Sequence, residues 1–230
     1  MEKLLYEFMH NRLYMQRTPM CDLFREHKSD KSTWHNYTPF YNHIFKDLVN
    51  KNLNIFELGL GTNNTSIKSN MGAGGQPGAS LRSFAQHFKN ANIYGADIDK
   101  DILFQDERIK TYFCDQTNPQ IIKELWDQVD DVEFDIIIDD GLHETHANIT
   151  FFENSFQKLK KGGVYIIEDI LNEDRYPIEK FLSTVDCEFK TVMQIPMNTD
   201  WSVDNSVVHV YLNDLPKINV FDNILAVIVK

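Results

Sequence analysis

The 230-residue chain has no apolar run of membrane-spanning length; its longest hydrophobic stretches are the size of single strands. Its start, Met1-Glu2-Lys3-Leu4-Leu5-Tyr6, turns polar at His10-Asn11-Arg12, so neither a signal peptide nor membrane insertion is expected. Cysteine is scarce. Cys21, Cys114 and Cys187 are scattered, odd in number and without metal-type spacing. They read as reduced thiols of a cytoplasmic protein, which excludes a disulfide scaffold. Positive charge is in deficit, with 23 Lys and Arg against 34 Asp and Glu and a formal charge of −11. A bulk nucleic-acid binder needs clustered positive charge to release counterions, so no nucleic-acid partner is expected. A small neutral partner is unaffected. Internal repeats and low-complexity tracts are also missing, and a 42% hydrophobic content suits a folded domain.

What is present is an alternation of strand and helix patterns. Residues 1–50 read as helical pieces, punctuated at Thr18-Pro19 and Thr38-Pro39, that contribute to the cover of an active site. Residues 51–230 form the main domain. Short apolar strands are predicted at 54–58, 92–97, 109–114, 134–138 and 164–167, with helices over 80–89, 120–127 and 143–159. Ser80 is the expected N-cap of the first of these helices. Two further strand-like runs, Phe189 to Ile195 and Ser206 to Leu212, follow. Strands alternating with helices imply crossover connections, hence an α/β doubly wound, mostly parallel, seven-stranded Rossmann-like sheet. The exception is Thr62 to Gly78, rich in Asn, Ser and Gly, which reads as a long functional loop.

In such sheets ligands bind beyond the carboxyl ends of the strands. The first strand ends Glu57-Leu58-Gly59-Leu60-Gly61, where glycines let the backbone approach a ligand and Glu57 can accept from an ammonium. A lone Gly-x-Gly is equally a plain tight turn. Asn64 stands where a dinucleotide fingerprint has its third glycine, which counts against a nicotinamide oxidoreductase. Asp97 ends the second strand, placed for ribose hydroxyls, and Asp115-Gln116 follow the third, placed for an adenine edge. Each acid alone is as readily a cap or a solvated charge. Their recurrence at successive strand ends favours a nucleoside-type cofactor.

The next two strands end in paired acids, Asp139-Asp140 and Glu168-Asp169. Carboxylates converging on one rim would suit Mg²⁺ or Mn²⁺, although acids beside helix starts also cap them. His143 is placed to serve as a general base beside Asp140. His143 and His146 could instead bind zinc or iron with Asp140, but a His-Glu-x-x-His motif is absent, and His146 reads as a helix-surface residue.

These segments, with Ser29-Asp30-Lys31, Tyr37-Thr38-Pro39-Phe40-Tyr41, Pro77-Gly78-Ala79-Ser80-Leu81-Arg82 and Ile93-Tyr94-Gly95-Ala96-Asp97-Ile98-Asp99, form a recognisable set. Over most of residues 29 to 170 the chain resembles the class I S-adenosylmethionine-dependent methyltransferases. The resemblance is to metal-dependent bacterial sugar O-methyltransferases of the mycinamicin type and relatives from surface-polysaccharide clusters. It implies methyl transfer to a hydroxyl of a sugar or related small acceptor, in surface-polysaccharide or secondary-metabolite biosynthesis. It also implies Asp140, Glu168 and Asp169 as metal ligands, with Asp139 as the substitute. Asn63, Ser80, Tyr37 and Thr38, drawn from the matching motifs, join Glu57, Gly59, Gly61, Asp97, Asp115 and Gln116 as the expected cofactor set. A non-catalytic partner subunit on the same fold remains a separate reading, and a homo-oligomer is compatible with either.

Overall fold

The computed structural model describes residues 3–4, 14–15, 17–33, 35–195, 208–209 and 223–230. Its elements are β1 (Tyr14–Met15), α1 (Pro19–Glu26), a 3₁₀ turn (Asp30–Ser32), α2 (Tyr37–Phe45), β2 (Asn54–Leu58), α3 (Ala79–His87), β3 (Asn92–Asp97) and β4 (Ile109–Phe113). There follow α4 (Pro119–Val129), β5 (Phe134–Asp139), α5 (Thr145–Ser155), β6 (Leu159–Ile170), α6 (Arg175–Ser183), β7 (Phe189–Ile195), β8 (Val208–His209) and β9 (Asn223–Val229). The main sheet has seven strands in the order β4-β3-β2-β5-β6-β9-β7. All pairings are parallel except those of β9, which runs antiparallel to both β6 and β7. The expected doubly wound, mostly parallel sheet is therefore observed. Among the described residues no helix is long and apolar enough to cross a membrane.

Alternation along the strands sorts the core into two layers. Ile55, Ile93, Ile136, Ile138, Val164 and Ile166 face one side, where α1, α2 and α3 add Phe24, Phe40, Tyr41, Phe45 and Phe84. Phe56, Tyr94, Ile137, Tyr165 and Ile167 face the other, packed by α4, α5 and α6 through Trp126, Phe151 and Ile178. The described part of the N-terminal segment thus shares one core with the sheet.

Three local expectations are corrected. The seventh strand is Asn223–Val229, not Ser206 to Leu212; its seven residues are all buried because neighbours cover both faces. Val208–His209 pairs with Tyr14–Met15 instead, and the rest of that run lies outside the described residues. Pro39 does not break a helix but sits in the first turn of α2, where a missing N–H costs nothing. Helix α3 is led by Gly78 in the left-handed region (φ 73°) rather than by Ser80, whose hydroxyl has another use.

Phe56 is the pivot of the second layer, with ring centroids 4.8 Å from Trp126, 5.5 Å from Phe134 and 6.1 Å from Phe151. Truncating it leaves a cavity that rigid neighbours cannot fill. Phe56→Ala should cost about 3–5 kcal/mol, read as a lower urea midpoint at unchanged slope.

Candidate active site

The carboxyl ends of β2, β3, β4 and β5 open into a cleft of ≈ 540 Å³. Gly59, Gly61, Ser80, Asp97, Asp115 and Gln116 of the expected cofactor set line it. Glu57, Asn63, Tyr37 and Thr38 do not reach its wall. Glu57 is buried beneath, accepting from the Ser80 hydroxyl. Asn63 is exposed, and Thr38 is buried with its hydroxyl on the Cys21 sulfur at 3.3 Å. Asp97 holds the turn that forms the cleft floor, accepting from the backbone N–H of Leu60 at 2.7 Å and of Asp99 at 2.8 Å.

The glycines are needed for close approach as well as for a ligand. A Cβ on Gly59 (φ +86°) would lie 1.9 Å from the Asp140 carbonyl oxygen, and one on Gly141 would lie 2.2 Å from Gln116 Oε1. Gln116 is locked in turn: Oε1 accepts from the Leu142 N–H at 2.8 Å, and Nε2 donates to Asp139 at 2.7 Å. Over the cleft, the loop between β2 and α3 contributes Ile67, Lys68, Ser69 and Met71. It is tied to the opposite wall by Lys68 to Glu144 and by Ser69 Oγ to the Leu142 carbonyl at 2.8 Å.

Strand parity separates the two members of the first acidic pair. Leu58, Asp139 and Ile167 stand in register across β2, β5 and β6, and all face the second layer. There Asp139 accepts from Gln116 and, at 3.0 Å, from Asn148. Burial pushes its carboxyl up to about 7, against those hydrogen bonds. Asp140, one residue on, reaches the rim instead. Its Oδ1 lies 3.2 Å from His143 Nε2, and the same nitrogen is 3.9 Å from Asp169 Oδ2. Asp140, His143 and Asp169 each offer a ligand atom within 4.8 Å of the others.

The second acidic pair owes its placement to a bulge. Between Ile167 and Ile170 the β6 strand gains a residue against β9, and Asp169 takes φ 51°. Adjacent side chains of a regular strand would point to opposite faces. Here both reach α2, where Tyr37 and Tyr41 lie one helical turn apart: Tyr37 donates to Asp169 at 2.5 Å and Tyr41 to Glu168. Burial and the adjoining carboxylates hold both phenols well above their ordinary range, so they stay donors. His143 also has a positive φ, 60°. Non-glycine residues in that region mark strain, which concentrates at functional sites.

Lys31 had no expected role. It is 2% exposed, with Nζ 2.5 Å from Asp140 Oδ2, 2.5 Å from Glu168 Oε2 and 3.2 Å from Glu57 Oε1. Burial opposes its charge, but the three acids hold its pKa well above the ordinary value. Burial raises Glu57 to about 7, and Lys31 opposes that rise. Burial likewise lifts Glu168 far up, while at Asp140 burial is outweighed and Lys31 and His143 hold the carboxyl low. For His143 burial works downward, yet the Asp140 hydrogen bond and the charges of Asp140, Asp169 and Asp139 raise it to about 9. Only the place of Lys31 in a matching motif pointed to it.

The fold that carries this site is shared with solved methyltransferases. A methyltransferase of the mycinamycin pathway, solved with Mg and S-adenosylhomocysteine, superposes with a TM-score of 0.56 at 29% identity, covering 67% of this chain and 40% of its own. The chain has the class I methyltransferase fold. In sequence it is 31% identical over 151 residues to 8-demethyl-8-alpha-L-rhamnosyl tetracenomycin-C 2'-O-methyltransferase of Streptomyces olivaceus, 66% of this chain and 37% of that protein. It is 32% identical over 136 residues to mycinamicin VI 2''-O-methyltransferase of Micromonospora griseorubida, 59% of this chain and 32% of that one. The chain therefore spans about a third of the length of these curated relatives. No protein-family model matches it. In doubly wound sheets ligands bind beyond the carboxyl ends of the strands; the cleft at the ends of β2 to β5 lies there, with the acidic rim beside it.

Two outcomes test this site. Gly59→Val should abolish S-adenosylhomocysteine binding in calorimetry, because the clash with the Asp140 carbonyl displaces both loops of the floor. Gly162→Ala is the control. It shares the positive φ, 75°, but has open space around it, so it should lose roughly 1–2 kcal/mol of stability and keep its affinity. Amide exchange of residues 62–78 should slow when S-adenosylhomocysteine is added, as expected of a loop that closes on a ligand. Identical exchange in both states would remove the loop from the site.

Proposed function

We propose that the chain transfers a methyl group from S-adenosylmethionine to a hydroxyl of a sugar, carried on a glycan or a glycosylated small molecule. The observation that carries this reading is the meeting of Asp140, His143 and Asp169 at the rim of a cleft with a glycine floor. The relatives' own activities, at sugar positions of tetracenomycin and mycinamicin compounds, support a sugar acceptor. A charge of −11 supports a small acceptor over nucleic acid. Surface-polysaccharide or secondary-metabolite assembly in the cytoplasm is the proposed setting.

The donor set suits a hard divalent ion such as Mg²⁺ or Mn²⁺. Asp140 and Asp169 offer carboxylate oxygens toward the cleft, leaving other positions for water and acceptor oxygens. Asp139 lies on the other face, and Glu168 neither lines the cleft nor belongs to the close group of ligand atoms, so neither is placed among the ligands. A divalent ion there would supply positive charge that offsets the carboxylates, drawing His143 and a nearby hydroxyl toward deprotonation at neutral pH.

His143 is the proton acceptor through Nδ1, its ring aimed by the Nε2 contact with Asp140, as the acceptor oxygen attacks the methyl group in line and the methyl–sulfur bond breaks to release S-adenosylhomocysteine. Asp140 also stabilises the imidazolium that results. Positioning accounts for much of the acceleration: the locked Gln116 and the glycine floor fix the cofactor, and the loop at 67–71 excludes water.

Chelation with EDTA should stop turnover while leaving S-adenosylhomocysteine affinity within about threefold, and Mg²⁺ or Mn²⁺ should restore it. Asp140→Asn should copy chelation. His143→Ala should lower kcat by about 10²–10⁴, with the deficit shrinking as pH rises and hydroxide competes. Full activity in EDTA would reject the ion. His143 would then act alone, and the rising limb of the pH profile should lie above the ordinary imidazole range, because the Asp140 hydrogen bond and the nearby carboxylates raise it.

A further inference from the structure

Lys31 reaches the wall of the cleft but moves no proton in this mechanism, and its ammonium sits where β2, β5 and β6 end. An ammonium has three N–H bonds and no acceptor. Three carboxylates from three strand ends stand around this one: Glu57 at 3.2 Å, Asp140 at 2.5 Å and Glu168 at 2.5 Å. We propose that Lys31 is a built-in counter-cation and a positioning residue. It binds the acid under the cofactor floor to the acids of the rim, and it limits how strongly the rim attracts a divalent ion. The second clause rests on the reading that Asp140 and Asp169 hold such an ion.

Asp140 connects the two charges. Its Oδ2 meets Lys31, and its Oδ1 faces the opposite side, toward His143 and Asp169. An ion held by Asp140 and Asp169 would therefore be one carboxylate away from a fixed positive charge. Repulsion across so short and enclosed a path is strong. Lys31 and the ion are then partial substitutes: the lysine keeps the rim intact when the ion is away and weakens the ion's hold when it arrives. Glu168, with Oε2 on Lys31 and Oε1 on Tyr41, belongs to the lysine side of this arrangement.

The test uses the full chain, with Mn²⁺ as the probe, in wild type, Lys31→Met, Glu168→Gln and the double variant Lys31→Met/Glu168→Gln. Binding is read by electron paramagnetic resonance, and stability by thermal unfolding in EDTA and in saturating Mn²⁺. Lys31→Met should unfold at lower temperature in EDTA, regain much of the loss with Mn²⁺, and bind Mn²⁺ at least tenfold tighter than wild type. The double variant, with its charges rebalanced, should unfold in EDTA above Lys31→Met. If Lys31→Met does not fold in EDTA, the double variant still carries the comparison, its Mn²⁺ affinity expected within threefold of wild type. Unfolding losses equal with and without Mn²⁺, together with unchanged or weaker Mn²⁺ binding, would make Lys31 a packing residue and overturn the proposal. Failure of wild type to bind Mn²⁺ would remove the ion from the proposed function; coupling between Lys31 and Glu168 in EDTA would still support the counter-cation, and additivity would overturn it.

Discussion

Four carboxylates, Glu57, Asp140, Glu168 and Asp169, meet at the ends of three neighbouring strands, and the site exists only because something compensates that charge. Like charges so close and so dry cannot all persist alone; protons, cations or dense hydrogen bonding must answer them. The N-terminal segment supplies the answer. Lys31 brings a cation, Tyr37 and Tyr41 bring phenol donors one helical turn apart, and Ser80 of α3 donates to Glu57. The packing of α1 and α2 on the sheet is thus more than cover for an apolar face. It delivers the polar partners without which the carboxyl ends of β2, β5 and β6 would repel one another. The same demand for compensation makes the rim a place where a cation or a proton is welcome, the property a hydroxyl-activating site needs.

The fold was legible because strand periodicity is a local signal. Residues 54–58, 92–97 and 134–138 announce themselves by composition, and crossover helices between them leave little choice of topology. The carboxylates were legible as strand ends, but their roles were not. Choosing between Asp139 and Asp140 requires knowing which face of β5 each occupies, and parity is fixed only by pairing with β2 and β6. Glu168 and Asp169 looked alike because the β6 bulge that sends both toward α2 is invisible without its partner strand. Lys31 was unreadable for a related reason: its contacts with Asp140 and Glu168 span 109 and 137 residues. Thr18-Pro19 was correctly read as punctuation, since Thr18 caps a helix that Pro19 begins, whereas Thr38-Pro39 lies inside the first turn of α2, where proline is tolerated.

The seventh strand was the largest misplacement. An apolar run such as Asn223 to Val229 fits a strand covered on both faces, but nothing local says that it enters the sheet between two earlier strands. That position also bears on the site. By pairing with β6 on the side away from β5, β9 defines the bulge at Glu168–Asp169, and its first residue, Asn223, accepts through Oδ1 from His35 Nδ1 at 2.6 Å, beside Asp169. The antiparallel insert is therefore joined to the chemistry at one end and to the core along its length.

Its place in the sheet also constrains how the chain is made. A strand later in the chain than the other described strands becomes an interior member, so β6 and β7 are joined only through residues 223–229. An emerging chain can assemble β2 to β6 with their helices while the ladder of β6 stays open on one side. Open ladders recruit foreign strands, and pairings this distant along the chain form late. A sheet without β9 therefore has a gap beside β6. Since pairing with β9 also defines the β6 bulge, the acidic rim is complete only when the sheet is closed.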